Sequence, residues 1–171
     1  MPAEKTHAEH RASAPRSVRC HVVTVSDTRT EETDTGGRAV ADLLRTGGHV
    51  VTGRTIVKDD PDQIRGAIER LLATPELQAI VTTGGTGISS RDSTYEVVSA
   101  MLQKRLDGFG ELFRMLSYQE IGAAAMLSRA CAGVVAGRIL IALPGSEAGV
   151  RLAMEKLVTP ELGHLVREAS R

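Results

Sequence analysis

The sequence predicts an α/β fold, a three-layer sandwich with a mostly parallel sheet and one antiparallel strand. Three observations carry that expectation. Short β-branched runs alternate three times with segments whose apolar residues recur at helical spacing. Each run ends in polar or glycine residues. A late pair of apolar runs, Ala132 to Val135 and Ile139 to Leu143, is separated by only Ala136, Gly137 and Arg138, short enough for a hairpin.

Along the chain, the first 17 residues are polar, hold His7 and His10, and contain no apolar run fit for a signal peptide or membrane span. They read as a flexible arm, and residues 18–171 as one domain. From Val18 to Val25 comes a buried strand ending at Ser26 and Asp27. Arg38 to Arg45 then places Val40, Leu43 and Leu44 on one helical face, closed by Gly47 and Gly48.

A second strand, Val50 to Val57, leads through Lys58 and Asp59 to a helix announced by Asp60 as N-cap and Pro61 as its first residue. The third strand contains Ala79, Ile80 and Val81 and runs into Thr83, Gly84, Gly85, Thr86 and Gly87. Ser93 and Glu96 have the spacing of a capping box, so a helix is expected from Thr94, carrying Val97, Val98, Met101, Leu102 and Leu106. Short helices at Glu111 to Leu116 and through Ala123 to Met126 precede the hairpin, and Pro144, Gly145 and Ser146 open the last helices.

Composition narrows the chemistry. With 171 residues and 21 basic against 21 acidic side chains, the chain has no net field to draw it to nucleic acid or to an anionic membrane. Aromatic content of 2% leaves few platforms for base stacking. Cys20 and Cys131 lack metal-site spacing and lie in apolar runs, which fits buried free thiols in a reducing cytoplasm.

The polar strand ends are the candidate site. Glycines after a buried strand let backbone N–H groups approach a phosphate closely, and a following helix start favours the same anion. The loop is neither GxxxxGK[ST] nor GxGxxG, which argues against a P-loop NTPase and a dinucleotide-dependent oxidoreductase. Asp92 stands at the mouth of this loop as a candidate magnesium ligand, and Asp59 is the carboxylate left free once Asp60 caps its helix. Ser26, Asp27, Arg91, Pro144, Gly145 and Ser146 join them if the sheet order lets those ends meet.

With these residues in place, the chain resembles the MoaB/Mog family of molybdenum cofactor biosynthesis. The resemblance runs from about Val18 to Arg167 and rests on Thr24 to Asp27 with Thr28 and Asp34, on Thr82 to Gly87 with Arg91, Asp92 and Thr94, on GFGELFRMLSYQEIG from Gly108 to Gly122, on Ser128 and Arg129, and on Leu143 to Ser146. It implies a molybdopterin adenylyltransferase that uses Mg2+ and ATP to place AMP on molybdopterin, with Asp59 and Asp92 as catalytic and metal-binding residues. It also implies a homotrimer or homohexamer, for which Phe109, Leu112, Phe113, Met115 and Leu116 offer an apolar face. Two departures from the family pattern stand out. Thr94, Tyr95, Glu96 and Val97 replace a usual Thr-Pro-Glu-Ala, and Lys58 stands where proline is common, as in the MoaB branch. The alternative is a non-catalytic molybdopterin-binding or scaffold protein of the same pathway.

Overall fold

The computed structural model describes residues 13–171, so the expectations for His7, His10 and most of the arm lie outside the described residues. Of the arm's remainder, Ala14 and Pro15 lie against Gly163.

Six strands form one sheet: β1 (Arg19–Val25), β2 (Val50–Val57), β3 (Ala79–Thr83), β4 (Lys104–Arg105), β5 (Cys131–Val135) and β6 (Arg138–Leu143). Their order is β2-β1-β3-β6-β5-β4. β2, β1, β3 and β6 are mutually parallel, with Val22 opposite Val81 and Val81 opposite Ile141. β5 runs antiparallel to both its neighbours and is the reversed strand among these six. The β5–β6 hairpin turns through Ala136 (φ 49°) and Gly137 (φ 72°), the two positive φ values that a two-residue turn needs to match strand twist.

Helices α1 (Thr35–Thr46), α2 (Pro61–Leu72), α3 (Thr94–Met101), α4 (Asp107–Ile121), α5 (Glu147–Ala153) and α6 (Thr159–Ala169) cover the sheet. A 3-10 turn (Gly122–Leu127) follows α4, and a π-helical turn (Met154–Val158) joins α5 to α6. The strands bury both faces by strict alternation. Val22, Val81 and Ile141 point to one layer, where they meet Val40, Leu44, Phe113, Met154 and Leu162. Val23, Ile80 and Leu140 point to the other, against Ile64, Ile68, Val97 and Val98. Three layers result. Both cysteines are free and buried, and burial pushes the Cys20 thiol up to about 12. Among the described residues no helix is long and apolar enough to cross a membrane.

Four local expectations need correction. α1 starts at Thr35 rather than Arg38, because Asp34 caps it by accepting from the Gly37 N–H at 2.8 Å. α3 starts at Thr94 as expected, but no capping box forms: Ser93 makes no side-chain bond to its own helix, and Glu96 pairs with Arg129. α3 also ends at Met101, so Leu102 is an extended cap beyond its end and Leu106 lies past the short β4, neither on that helix. The helix expected over Glu111 to Leu116 runs from Asp107 to Ile121, and the segment through Ala123 to Met126 is a 3-10 turn.

Candidate active site

The chain leaves β1 for β2 on one side and returns to β3 on the other, so the sheet's connections diverge between β1 and β3. At such a point the crevice beyond the strand ends is open to a ligand. A cavity of about 190 Å3 lies there, lined by Thr24 at the end of β1 with Ser26 and Arg29 beyond it, Thr83 at the end of β3 with Gly84 and Gly85 beyond it, Gly145 after β6, and Asp34 and Gly36 at the start of α1.

Glycine is required in the wall of this cavity. Gly84 (φ 93°) and Gly85 (φ 67°) hold left-handed backbone that residues with a Cβ rarely adopt. A Cβ on Gly84 would strike the Val25 carbonyl, and one on Gly85 would strike Thr94 Oγ1 and Asp59. The loop is fastened at its base, since the Gly84 N–H donates to Leu143 O (3.1 Å) and the Thr94 N–H to Gly85 O (2.9 Å). Thr83 Oγ1 donates to Pro144 O at 2.8 Å, joining the β3 and β6 ends.

Asp59 and Asp92 both face this loop. Asp59 is buried, and its Oδ1 accepts from the Ser93 N–H (3.0 Å) and Ser93 Oγ (2.7 Å) while Oδ2 lies beside Gly85. Asp92 packs against Gly87, and its Oδ2 accepts from the Ser89 N–H at 3.0 Å. Asp27 ties the elements together. Its Oδ2 accepts from Arg91 Nη2 at 2.8 Å and Nε at 3.1 Å, and its Oδ1 from the Asp59 N–H at 3.1 Å. The Arg91 guanidinium, aided by that amide, holds the Asp27 carboxyl below the usual carboxylate range. Lys58 Nζ donates to Asp27 O at 2.7 Å.

The structure therefore divides the expected residues into groups. Ser26, Thr83, Gly84, Gly85 and Gly145 line the cavity, while Asp27, Asp59 and Arg91 form a hydrogen-bonded set on the loop that bounds it and Asp92, bonded to Ser89, lies against Gly87, with Thr86 between. Pro144 and Ser146 are not in its wall: they line a separate cavity of about 270 Å3 with Phe113, Ser117 and Leu152, and Ser146 Oγ caps α5 through the Gly149 N–H. Among the described residues, no group of three or more His, Cys, Asp or Glu side chains is placed to hold a metal ion.

Thr24, Val25, Arg29, Asp34 and Gly36 line the cavity without having been expected as site residues, and two of them are charged. Arg29 is the one cation among the described residues that line the cavity, positioned by its own N–H on Ser26 Oγ (3.0 Å) and by Nη1 on Thr33 O (2.7 Å). Asp34 is buried, accepting from Thr24 Oγ1 at 2.8 Å and Arg54 Nη1 at 3.3 Å. A signal for Asp34 is present, since a lone Asp just before a helical pattern is an N-cap.

Sequence and fold both match known proteins. The family model described as "Probable molybdopterin binding domain" matches residues 21–164. Molybdenum cofactor biosynthesis protein B of Bacillus anthracis is 51% identical over 164 residues, covering 95% of this chain and 97% of its own. A crystal structure of molybdenum cofactor biosynthesis protein B superposes with a TM-score of 0.88 at 51% identity, covering 92% of this chain and 98% of that one. The tungsten cofactor synthesizing protein MoaB from Pyrococcus furiosus follows at 0.83 and 33%, covering 92% and 100%. On the family match over residues 21–164 and the 51% identity along nearly the whole chain, the chain belongs to the molybdopterin-binding-domain family that includes molybdenum cofactor biosynthesis protein B.

Proposed function

We propose that this protein acts in molybdenum cofactor biosynthesis by transferring AMP from ATP to the terminal phosphate of molybdopterin. In that step a phosphate oxygen of molybdopterin bonds to the α-phosphorus of ATP, the bond from that phosphorus to the β-phosphate oxygen breaks, and pyrophosphate leaves. The observation that carries the reading is the glycine loop after β3, which bounds a crevice on one side and packs against two carboxylates, Asp59 and Asp92.

Chemistry of this kind asks a protein for positioning and charge neutralisation rather than for a nucleophile. Gly84, Gly85 and Gly145 offer backbone without side-chain obstruction. Ser26 Oγ accepts from the Thr28 and Arg29 amides, so its own proton is left to donate to a phosphate oxygen. Arg29 adds a cation at the mouth. Mg2+ takes one or two carboxylates together with substrate phosphates, and the pair at this loop suits that donor set. Asp59 and Asp92 would hold the ion, which when bound neutralises charge on the phosphates.

A second reading, a molybdopterin binder without transfer activity, draws support from the engagement of both carboxylates by Ser93 and Ser89. Incubation with molybdopterin and Mg-ATP separates the two. Transfer should yield adenylylated molybdopterin and pyrophosphate, and Asp59→Ala or Asp92→Ala should lower the rate by about 100-fold or more. Unchanged transfer in both variants would remove them as metal ligands, and molybdopterin binding with no transfer by the unaltered protein would select the second reading.

The same reading includes a homotrimer or homohexamer located in the cytoplasm. Leu112, Met115, Tyr118 and Ile121 are exposed along α4, and Met126 and Leu127 extend the apolar surface. Phe113 is not part of it, being 1% exposed in the core, while Phe109 and Leu116 pack partly on that core. Sedimentation as a monomer at micromolar concentration would remove the assembly.

A further inference from the structure

Arg129 is absorbed by none of these roles, yet it donates to two successive carbonyls of the glycine loop. It follows the 3-10 turn, more than forty residues along the chain from the loop it reaches. Nε donates to Thr86 O at 2.8 Å, Nη2 donates to Gly87 O, and Nη1 and Nη2 both reach the Glu96 carboxylate. Its guanidinium lies over the Tyr95 ring, 4.6 Å from the centroid. Planar geometry with donors along more than one edge allows one side chain to serve two carbonyls and a carboxylate at once, which a lysine ammonium does not reproduce.

The consequence lies on the other side of the loop. No peptide bond described in this chain is cis, and in a planar trans peptide the N–H points opposite to the C=O. Holding the carbonyls of Thr86 and Gly87 toward Arg129 therefore turns the N–H groups of Gly87 and Ile88 away from it. Among the described residues neither amide donates to the protein, and Ile88 is 73% exposed. Two successive free amides on one side of a glycine loop are donors for an anionic oxygen.

We propose that Arg129 is a positioning residue for the polyphosphate of the nucleotide: by pinning two carbonyls it presents the Gly87 and Ile88 amides to phosphate oxygens. This rests on the reading of the loop as a phosphate site given above. Glu96 and Tyr95 hold Arg129 in place from α3, so loop and helix form one braced unit.

The test measures Mg-ATP and magnesium pyrophosphate binding by calorimetry on the full chain, with 15N spectra to follow individual amides. In the unaltered protein both ligands should bind and shift the Gly87 and Ile88 resonances. Arg129→Lys keeps the charge but not the geometry, and should weaken Mg-ATP binding by about tenfold or more, as loss of hydrogen bonds to a charged ligand does, with those two shifts abolished. Glu96→Gln, which leaves the carbonyl contacts but loosens Arg129, should give a smaller loss and decides the matter if the Arg129 variant fails to fold. No phosphate binding by the unaltered protein would overturn the loop reading and this proposal together. Full affinity in Arg129→Lys, full affinity in Glu96→Gln when the lysine variant does not fold, or shifts that bypass Gly87 and Ile88, would overturn the role of Arg129 alone.

Discussion

Ser93 gives both its backbone N–H and its hydroxyl to one oxygen of Asp59, at 3.0 and 2.7 Å, so the residue beside Asp92 fixes the orientation of the other carboxylate of the pair. Asp59 is 8% exposed, and its Oδ2 is thereby turned to Gly85. Ser93→Ala removes one of the two donors to a buried charge, which should cost about 1–3 kcal/mol in unfolding free energy. Transfer activity should fall by about tenfold, because small misplacements of a positioned group are felt in rate, while Ser93→Thr should retain most of both. Equal activity in Ser93→Ala at reduced stability would mean that Ser93 braces the fold and not the chemistry.

The Arg91–Asp27 contact predicts a specific pH dependence. Arg91 holds the Asp27 carboxyl below its ordinary value, with the Asp59 N–H acting in the same direction. A carboxyl whose folded value lies below its unfolded value stabilises the fold above the unfolded value, and that contribution disappears as pH falls through the folded one. Arg91→Gln should therefore melt at a lower temperature than the unaltered protein at neutral pH, and the two curves should converge in acid, once Asp27 is protonated in both. A temperature difference that stays constant from neutral pH into acid would place the effect of Arg91 elsewhere.

Legibility in the sequence follows the range of the interactions involved. β2 and the start of α2 are readable to the residue, because Val50 to Val57 is rich in β-branched residues and Asp60 with Pro61 is a start signal that acts within one turn: Asp60 accepts from the Gln63 N–H at 3.0 Å. The convergence of strand ends is readable only as a condition, and the order β2-β1-β3-β6 satisfies it. What escapes the sequence depends on distant partners. Ser93 and Glu96 have capping-box spacing, but Asp59 takes the first and Arg129 the second. The helix expected from Glu111 begins at Asp107 and takes in Gly108 and Gly110, where a Cβ on Gly110 would press on Ala130 O. The two-residue β4 is exposed on both residues and leaves no periodic trace.

Asp34 offers a test of how the cavity floor is held. Its carboxylate is 2% exposed and accepts from the Gly37 N–H, Thr24 Oγ1 and Arg54, so it is at once a helix cap and a buried counter-charge. Asp34→Ala leaves three donors without their acceptor. The expected loss is about 3 kcal/mol, toward the low end for a broken buried pair because Arg54 is partly open to water. Asp34→Asn keeps the cap and should lose less. Arg54→Met should also lose less, since the Gly37 and Thr24 bonds to Asp34 remain. Urea unfolding of the three variants gives the order, and a loss in Arg54→Met equal to that in Asp34→Ala would show the ion pair, not the cap, to dominate.

Two glycine substitutions separate a required absence of side chain from an incidental one. Gly85 sits at φ 67°, with the position a Cβ would take already occupied by Thr94 Oγ1 and Asp59 Oδ2. Neither neighbour yields easily, since Thr94 is fully buried and Asp59 is held by Ser93. Gly85→Ala should cost about 1–3 kcal/mol from backbone strain alone and should abolish Mg-ATP binding by displacing the loop. Gly108 lies in the first turn of α4, and no atom comes within 4 Å of the place its Cβ would take. Gly108→Ala should be neutral or stabilising by up to about 1 kcal/mol, through the better helix propensity of alanine, and should leave binding intact. Denaturation and calorimetry on the pair read both effects. A Gly85→Ala protein that binds Mg-ATP as tightly as Gly108→Ala would mean that phosphate is gripped away from this loop, because the collision at residue 85 leaves no way to keep the loop's backbone where the crevice needs it.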